Sequence, residues 1–436
     1  MKKDRESTDS SMEGNSSFMR RALDIAAVIL VLARLGLAQD AASSEQEMIR
    51  LLGQQVKELQ QKVTALEARS GSSATASAEV PSQPADETSD AARPRELLPH
   101  ELEGIQWRGF AEVNYKVLNQ RQPEIAAFGF TPGSAGNFYS GDFDLLLTSR
   151  INDKASFLAE IVFGEGDGQS FNVDLDRLLM KYNYNDHLKI SVGRYHTGIG
   201  YYNATFHGGT WLQTSADRPF VMGLSNDGGL LPTQAIGMSV TGAVPSGGLG
   251  LNYVVEYGSN DTSRPELDGS GPPDDENNGN HINVGFFARP ERWRGLQVGG
   301  SFYHDKISAL KLGPQVRIGQ TLVNGYVVYN GHGVEFLSEG FLIRHAFEHS
   351  NVRLNMPAFY SQISKQFGAI RPFVRYQYVN ANVDSIFEDV LLRHGPSFGV
   401  RYEINENMAF KTQFDHTLRK GQGDLNGLHM QLAVTF

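Results

Sequence analysis

The chain closes on Leu428-His429-Met430-Gln431-Leu432-Ala433-Val434-Thr435-Phe436. Large apolar side chains stand at every second position, with polar or small ones between them. Period two over this length is a strand with one apolar face. As the edge of an open sheet, a terminal strand of this kind frays or recruits another chain. In a closed barrel it pairs with the first strand instead. The stretch therefore predicts a barrel.

The same alternation recurs upstream. Phe398, Val400, Tyr402 and Ile404 alternate with Ser397, Gly399, Arg401 and Glu403. Val374, Tyr376 and Tyr378 alternate with Arg375 and Gln377, and Leu249, Leu251, Tyr253, Val255 and Tyr257 with Gly250, Asn252 and Glu256. Phe143, Leu145 and Leu147 form one more such face. Charge at every second position requires that face to meet water. The opposite face carries aliphatics in mid-strand and aromatics near the ends, as lipid contact demands. Several of these segments run to nine residues or more, the length at which a tilted strand crosses a bilayer.

Strands are expected near 105–118, 139–151, 155–164, 171–184, 188–198, 233–244, 249–259, 281–289, 295–305, 320–330, 333–346, 356–367, 370–380, 394–404, 408–419 and 427–436. That count of sixteen is even, which closure with both termini on one side requires, although fourteen and eighteen stay open. Short turns such as 152–154, 185–187, 330–332 and 405–407 alternate with long connections such as 119–138, 199–232 and 260–280. The expected fold is an all-β, transmembrane, antiparallel up-and-down β-barrel over 101–436, preceded by a short coiled-coil helix.

Composition narrows the function. The 436 residues include 46 Gly, 25 Phe, 16 Tyr and no Cys, and the formal net charge is −10. Zero Cys removes disulfides, thiolate metal sites and cysteine nucleophiles. The acidic balance argues against nucleic acid as a partner. A mean hydropathy of −0.33 excludes a polytopic helical membrane protein but not a barrel, which hides its apolar face by alternation.

Ahead of the barrel, Met19-Arg20-Arg21 and the apolar run Ala22–Leu37 match a secretory signal peptide ending near Ala38. Residues 1–38 are expected to be a leader with an over-long start, an uncleaved N-terminal anchor being the alternative, and Met19 is a candidate initiator. Over 44–69, Ile49, Leu52, Val56, Leu59, Val63 and Leu66 alternate spacings of three and four, giving three heptads of a periplasmic coiled coil. Residues 70–100 are Ser, Ala, Pro and acidic residues, the composition of a linker. About −7 of the net charge falls on the barrel.

A leader, a short coiled coil, a polar linker, about sixteen amphipathic strands and a final Phe together resemble a Gram-negative porin. The segment Ile190-Ser191-Val192-Gly193-Arg194-Tyr195-His196-Thr197-Gly198, running into a long loop, resembles the phosphate-selective porin O/P type. Those porins line the channel with a dense Arg and Lys ladder, from which this chain departs. The resemblance implies a homotrimer in the bacterial outer membrane. It also implies contact with lipid and LPS, and recognition of the last strand, ending at Phe436, by the barrel assembly machinery. No cofactor is implied.

In sixteen-stranded porins the third long loop folds into the lumen. Here that loop is 199–232, and His207, Asp217, Arg218 and Asp227 are its candidate pore-facing charges. An extracellular lid or a trimer contact is the competing role for it. Strand parity places Arg108, Glu112, Lys116, Asp144, Arg150, Arg177, Lys181 and Lys189 on the lumen face, with Glu160. Arg375, Arg401 and Lys411 come from three consecutive strands and form one basic wall, which suggests a weak anion preference. The acidic total and the loop run 272–276 suggest the opposite near the mouth, so a general or weakly selective pore is expected. Strict parity sends Arg194 to the lipid side unless Gly193 begins a bulge.

No phosphate-binding Gly loop or HExxH is present, and His196, His207 and Asp217 lack the ligand spacing of any known metal motif. The expected function is a water-filled porin rather than an enzyme. The alternative is a structural anchor whose coiled coil contacts peptidoglycan.

Overall fold

The computed structural model describes residues 105–119, 135–165, 171–206, 210–223, 229–260, 280–308, 316–381 and 390–436. The expected leader, coiled coil and linker lie outside the described residues. Sixteen strands follow one another along the chain: β1 Ile105–Leu118, β2 Ala135–Arg150, β3 Ala155–Glu165, β4 Phe171–Asn185, β5 Leu188–His196, β6 Gln234–Ala243, β7 Leu251–Asn260 and β8 His281–Ala288. The second half is β9 Leu296–Ser308, β10 Arg317–Gly331, β11 Val334–Phe347, β12 Arg353–Lys365, β13 Ile370–Asn380, β14 Leu392–Asn405, β15 Met408–Arg419 and β16 Leu425–Thr435.

Each strand pairs antiparallel with its sequence neighbours, and β1 pairs with β16 to close the barrel. The seam runs from Phe110 opposite Thr435 to Leu118 opposite Gly427. Two backbone bonds extend it past β16: Gly109 N donates to Phe436 O (2.9 Å) and Phe436 N to Gly109 O (3.1 Å). The ladder leaves no open edge, which is the condition for crossing a bilayer with strands. No helix among the described residues is long and apolar enough to cross a membrane.

Parity sorts the side chains as the sequence predicts. On β13, Val374 is 55% exposed on the outer face, whereas Arg375 beside it is 1% exposed inside. On β16, Leu428 faces out and His429, Gln431, Ala433 and Thr435 are buried inside. Exposed outer aromatics include Trp107, Tyr184, Trp293 and Phe367 on the short-turn side, and Phe138, Phe171 and Tyr257 towards the long loops. Mid-strand positions carry Val192, Val323 and Leu342. This is an apolar belt between two aromatic girdles.

One bulge matters for the interior. The β3–β4 register slips by one between Glu160 and Ile161. Leu175 and Leu178 both remain exposed outside, so Asp176 and Arg177 both face in. The bulge considered at Gly193 is not there, because both ladders of β5 run through Gly193 without a break. Gly193 instead takes φ +131°, and a Cβ on it would stand 1.9 Å from Leu178 O. Arg194, beyond it, donates to Gln234 Oε1 (2.7 Å) and lies 3.7 Å from Asp174.

The last aromatic locks the seam. The Phe436 ring covers Gly109 so closely that a Cβ there would meet it at 2.1 Å, and it stacks on Phe143 at 5.8 Å between centroids. Gly109→Val is expected to expel the ring and destabilise the barrel by roughly 1–3 kcal/mol, as overpacking does. Gly325→Ala, which adds a methyl in open space, should be neutral. The midpoint of heat-induced mobility change on gels checks this; equal midpoints for the two variants would contradict it.

Candidate functional site

The long connection between β5 and β6 starts from a tied neck. Thr197 N donates to Thr233 O (2.9 Å) and its hydroxyl to Pro232 O (2.7 Å). Asn203 Nδ2 donates to both Thr197 O (2.8 Å) and Thr233 O (2.9 Å). Such a loop, with its ends together and packed by its own side chains, is compact. Its first turn is the helix α1, Gly200–Phe206. The free N–H groups of Tyr201 and Tyr202 donate to the two oxygens of Glu339 on β11 (2.7 and 2.8 Å). A buried carboxylate thus satisfies the orphan donors that every helix start exposes. Tyr360 Oη donates to the same carboxylate (2.5 Å).

From there the loop runs inside the barrel along the wall from β11 to β16 and on to β1. Thr214 donates to Glu335 of β11 (2.8 Å). Phe220 N donates to Gln377 Oε1 of β13 (2.9 Å), and Ala216 N and Asp217 N donate to Gln413 Oε1 of β15 (3.0 and 3.1 Å). All of these partners face inward, so the loop is folded into the lumen rather than over its mouth.

The basic wall lies under this loop. Arg375 is buried and donates from Nη1 to Ser215 Oγ (3.1 Å) and Asp217 O (2.9 Å). Arg401 donates to Gln213 O (2.9 Å) and to Trp211 O, stands 4.7 Å over the Trp211 ring, and pairs with Glu403 (2.7 Å). Lys411 donates to Ser215 O (3.3 Å) and to Thr210 O. A loop without regular ladders has carbonyls in need of donors, and three buried cations supply them. The expectation that these three charges line open water is corrected here: they face inward, but onto the loop.

Asp217 anchors the far side of the loop. Its carboxylate accepts from Lys116 of β1 (3.1 Å) and from His429 Nδ1 of β16 (3.0 Å). Burial would push this carboxyl up, but His429 and Lys116 outweigh it and hold it well below the usual carboxylate range. Arg218 ties the loop to itself, donating to Met222 O (2.7 Å) and Phe206 O (3.1 Å) with its guanidinium 5.2 Å over Tyr202. Neither side chain projects alone into solvent. His207 and Asp227 lie outside the described residues.

The remaining predicted residues divide by position. Glu112 accepts from the Thr210 hydroxyl and belongs to the loop contact. Arg108 lies 5.2 Å over the Phe110 ring. Arg150 is exposed at the short-turn end of β2 and pairs with Asp153 (2.7 Å), so it is a rim residue. Lys189 is exposed near the same rim. Asp144 is buried, Arg177 is ion-paired with Glu160, and Lys181 is half-buried beside them. This β2–β5 wall also holds Asp174 and Asp176 and is more acidic than parity counting suggested. Asp176 escaped that counting because its inward position depends on the β4 bulge.

No protein-family model matches the chain, and no curated protein does. Solved structures do. The outer membrane channel DcaP of Acinetobacter baumannii is 8% identical, with a TM-score of 0.51 over 77% of this chain and 98% of that one. OmpT of Vibrio cholerae, an outer membrane protein in its trimer form, is 11% identical, with a TM-score of 0.50 over 76% and 99%. An anion-selective porin from Comamonas acidovorans is 11% identical, with a TM-score of 0.49 over 76% and 99%. At these identities the likeness is one of fold alone, that of a closed antiparallel β-barrel.

Arg401→Ala leaves the carbonyls of Trp211 and Gln213 without their charged donor. Loss of a charged hydrogen bond costs about 1.5–3 kcal/mol. Proteolysis within 199–232 of the folded protein should therefore rise about 10- to 100-fold, with barrel heat-resistance kept. Unchanged cleavage would show that the guanidinium does not hold the loop.

Proposed function

We propose that the chain is a bacterial outer-membrane porin, a water-filled channel for passive diffusion of ions and small hydrophilic solutes. The carrying observation is the loop pinned inside a closed sixteen-strand barrel by Arg375, Arg401 and Lys411. A belt of outer apolar residues with aromatic girdles supports the membrane setting, and short turns on one side with long loops on the other support periplasmic and external ends. The loop narrows the passage from the β11–β1 side.

That geometry also shapes selectivity. The three basic residues that promised anion attraction are occupied by loop carbonyls, and the β2–β5 wall adds Asp144, Asp174 and Asp176, with Asp174 near Arg194 and Asp176 against His196. We infer a weak cation preference and no phosphate specificity, which departs from the phosphate-selective porin O/P type. The leader, the heptads of 44–69, the linker and the porin-like barrel further support an exported homotrimer with a periplasmic coiled coil, and contact with peptidoglycan stays an additional role for that coil. A lipid and LPS surround and assembly through the β16 strand belong to the same reading.

Purified full chain in planar bilayers should give stepwise current, with a reversal potential in a salt gradient of the sign set by cations. Deleting residues 203–228 should raise the step size. Silence would favour the anchor role, and an unchanged step would remove the loop from the conduction path.

A further inference from the structure

We propose that Glu160 of β3, Asp176 of β4 and His196 of β5 form a binding site for a divalent transition-metal cation of the zinc class, built into the barrel wall beside the neck of the inner loop. The three residues come from adjacent strands, and the β4 bulge puts Asp176 on the inner side with Arg177. One ligand atom from each residue lies within 4.8 Å of the other two. His196 Nε2 is 2.6 Å from Asp176 Oδ2 and 3.8 Å from Glu160 Oε2. A tetrahedral zinc with bonds of about 2.1 Å holds its ligand atoms about 3.4 Å apart, between those two values. Small side-chain shifts therefore convert the present contacts into ligation.

A second observation points to a ligand. Glu160 is 1% exposed, and its Oε1 has no hydrogen-bond partner. Buried carboxylate oxygens are normally satisfied, and an orphan of this kind calls for an ion or a water. Arg177 pairs with the other oxygen of Glu160, so the guanidinium neutralises one carboxylate of the group. Asp144, buried on β2, sits two residues along from Leu146, the partner of Glu160, and adds a further negative charge. Glu160, Asp176 and Asp144 thus outnumber the one cation ion-paired within the group, Arg177, and a divalent ion offsets the excess.

The donor set selects the metal. One imidazole nitrogen with two carboxylate oxygens suits Zn2+, with Mn2+ as a weaker fit, and disfavours the all-oxygen cations Ca2+ and Mg2+. Three protein ligands leave a fourth position for water. His196 immediately precedes Thr197, whose hydrogen bonds close the loop neck, so ion occupancy ties the β3–β5 wall to the root of that loop.

The site does not depend on whether the barrel conducts. Tag-free full-length protein in detergent would be stripped with a chelator, loaded with Zn2+ at micromolar concentration, desalted, and its metal counted by mass spectrometry. The expected result is about one Zn2+ per chain, and Co2+ in its place should give the visible absorption of a tetrahedral site. His196→Gln and Glu160→Gln should each lower Zn2+ affinity at least tenfold, with folding checked by heat-modifiable mobility. The wild type alone can overturn the proposal: bound Zn2+ below a tenth per chain, or a Co2+ spectrum of octahedral type, does so. Equal binding by wild type and both folded variants does so too, since the ion would then sit elsewhere.

Discussion

Everything in this molecule depends on the β1–β16 seam. A strand surrounded by lipid has no water to satisfy its backbone, so each N–H and C=O must find a partner in the next strand. Sixteen antiparallel ladders meet that condition only if the last strand returns to the first, as Phe110–Leu118 does against Gly427–Thr435. Closure then makes inside and outside distinct for every residue. Apolar residues at one parity face lipid, and the residues between them, many of them charged, face an enclosed interior.

An enclosed polar interior creates its own demand. Inward-facing Arg375, Arg401 and Lys411 need acceptors, and the irregular backbone of 210–217 needs donors. Each satisfies the other, which is why the loop lies deep along the β11–β1 wall. Glu339, Gln377 and Gln413 perform the complementary service by accepting loop N–H groups. The barrel interior thus becomes asymmetric, with a filled basic side and a more acidic side across from it. A transverse arrangement of this type orients polar solutes as they pass.

Strand positions were legible because period two is a local property. Most of the sixteen expected segments coincide with observed ones to within a few residues, and β1, β13 and β15 coincide at both ends. The inward direction of Arg401 and Lys411 was legible for the same reason. Their partners were not, since parity gives a direction and not a distance. The site around Glu160 was hidden for a different reason. Asp176 turns inward only because the β3–β4 register slips, and His196 meets Glu160 only through two intervening ladders. Both facts are properties of pairing, which a single strand does not carry.

A loop held on the inner wall shapes the conducting path of the proposed pore. The chain lacks cysteine, so Leu212→Cys, at an exposed position of the inner loop, creates a unique thiol. Single-channel current would be recorded in a planar bilayer while a bulky charged thiol reagent is added. Discrete downward current steps are expected as the loop is modified. Complete modification, verified by mass, with unchanged current would contradict it.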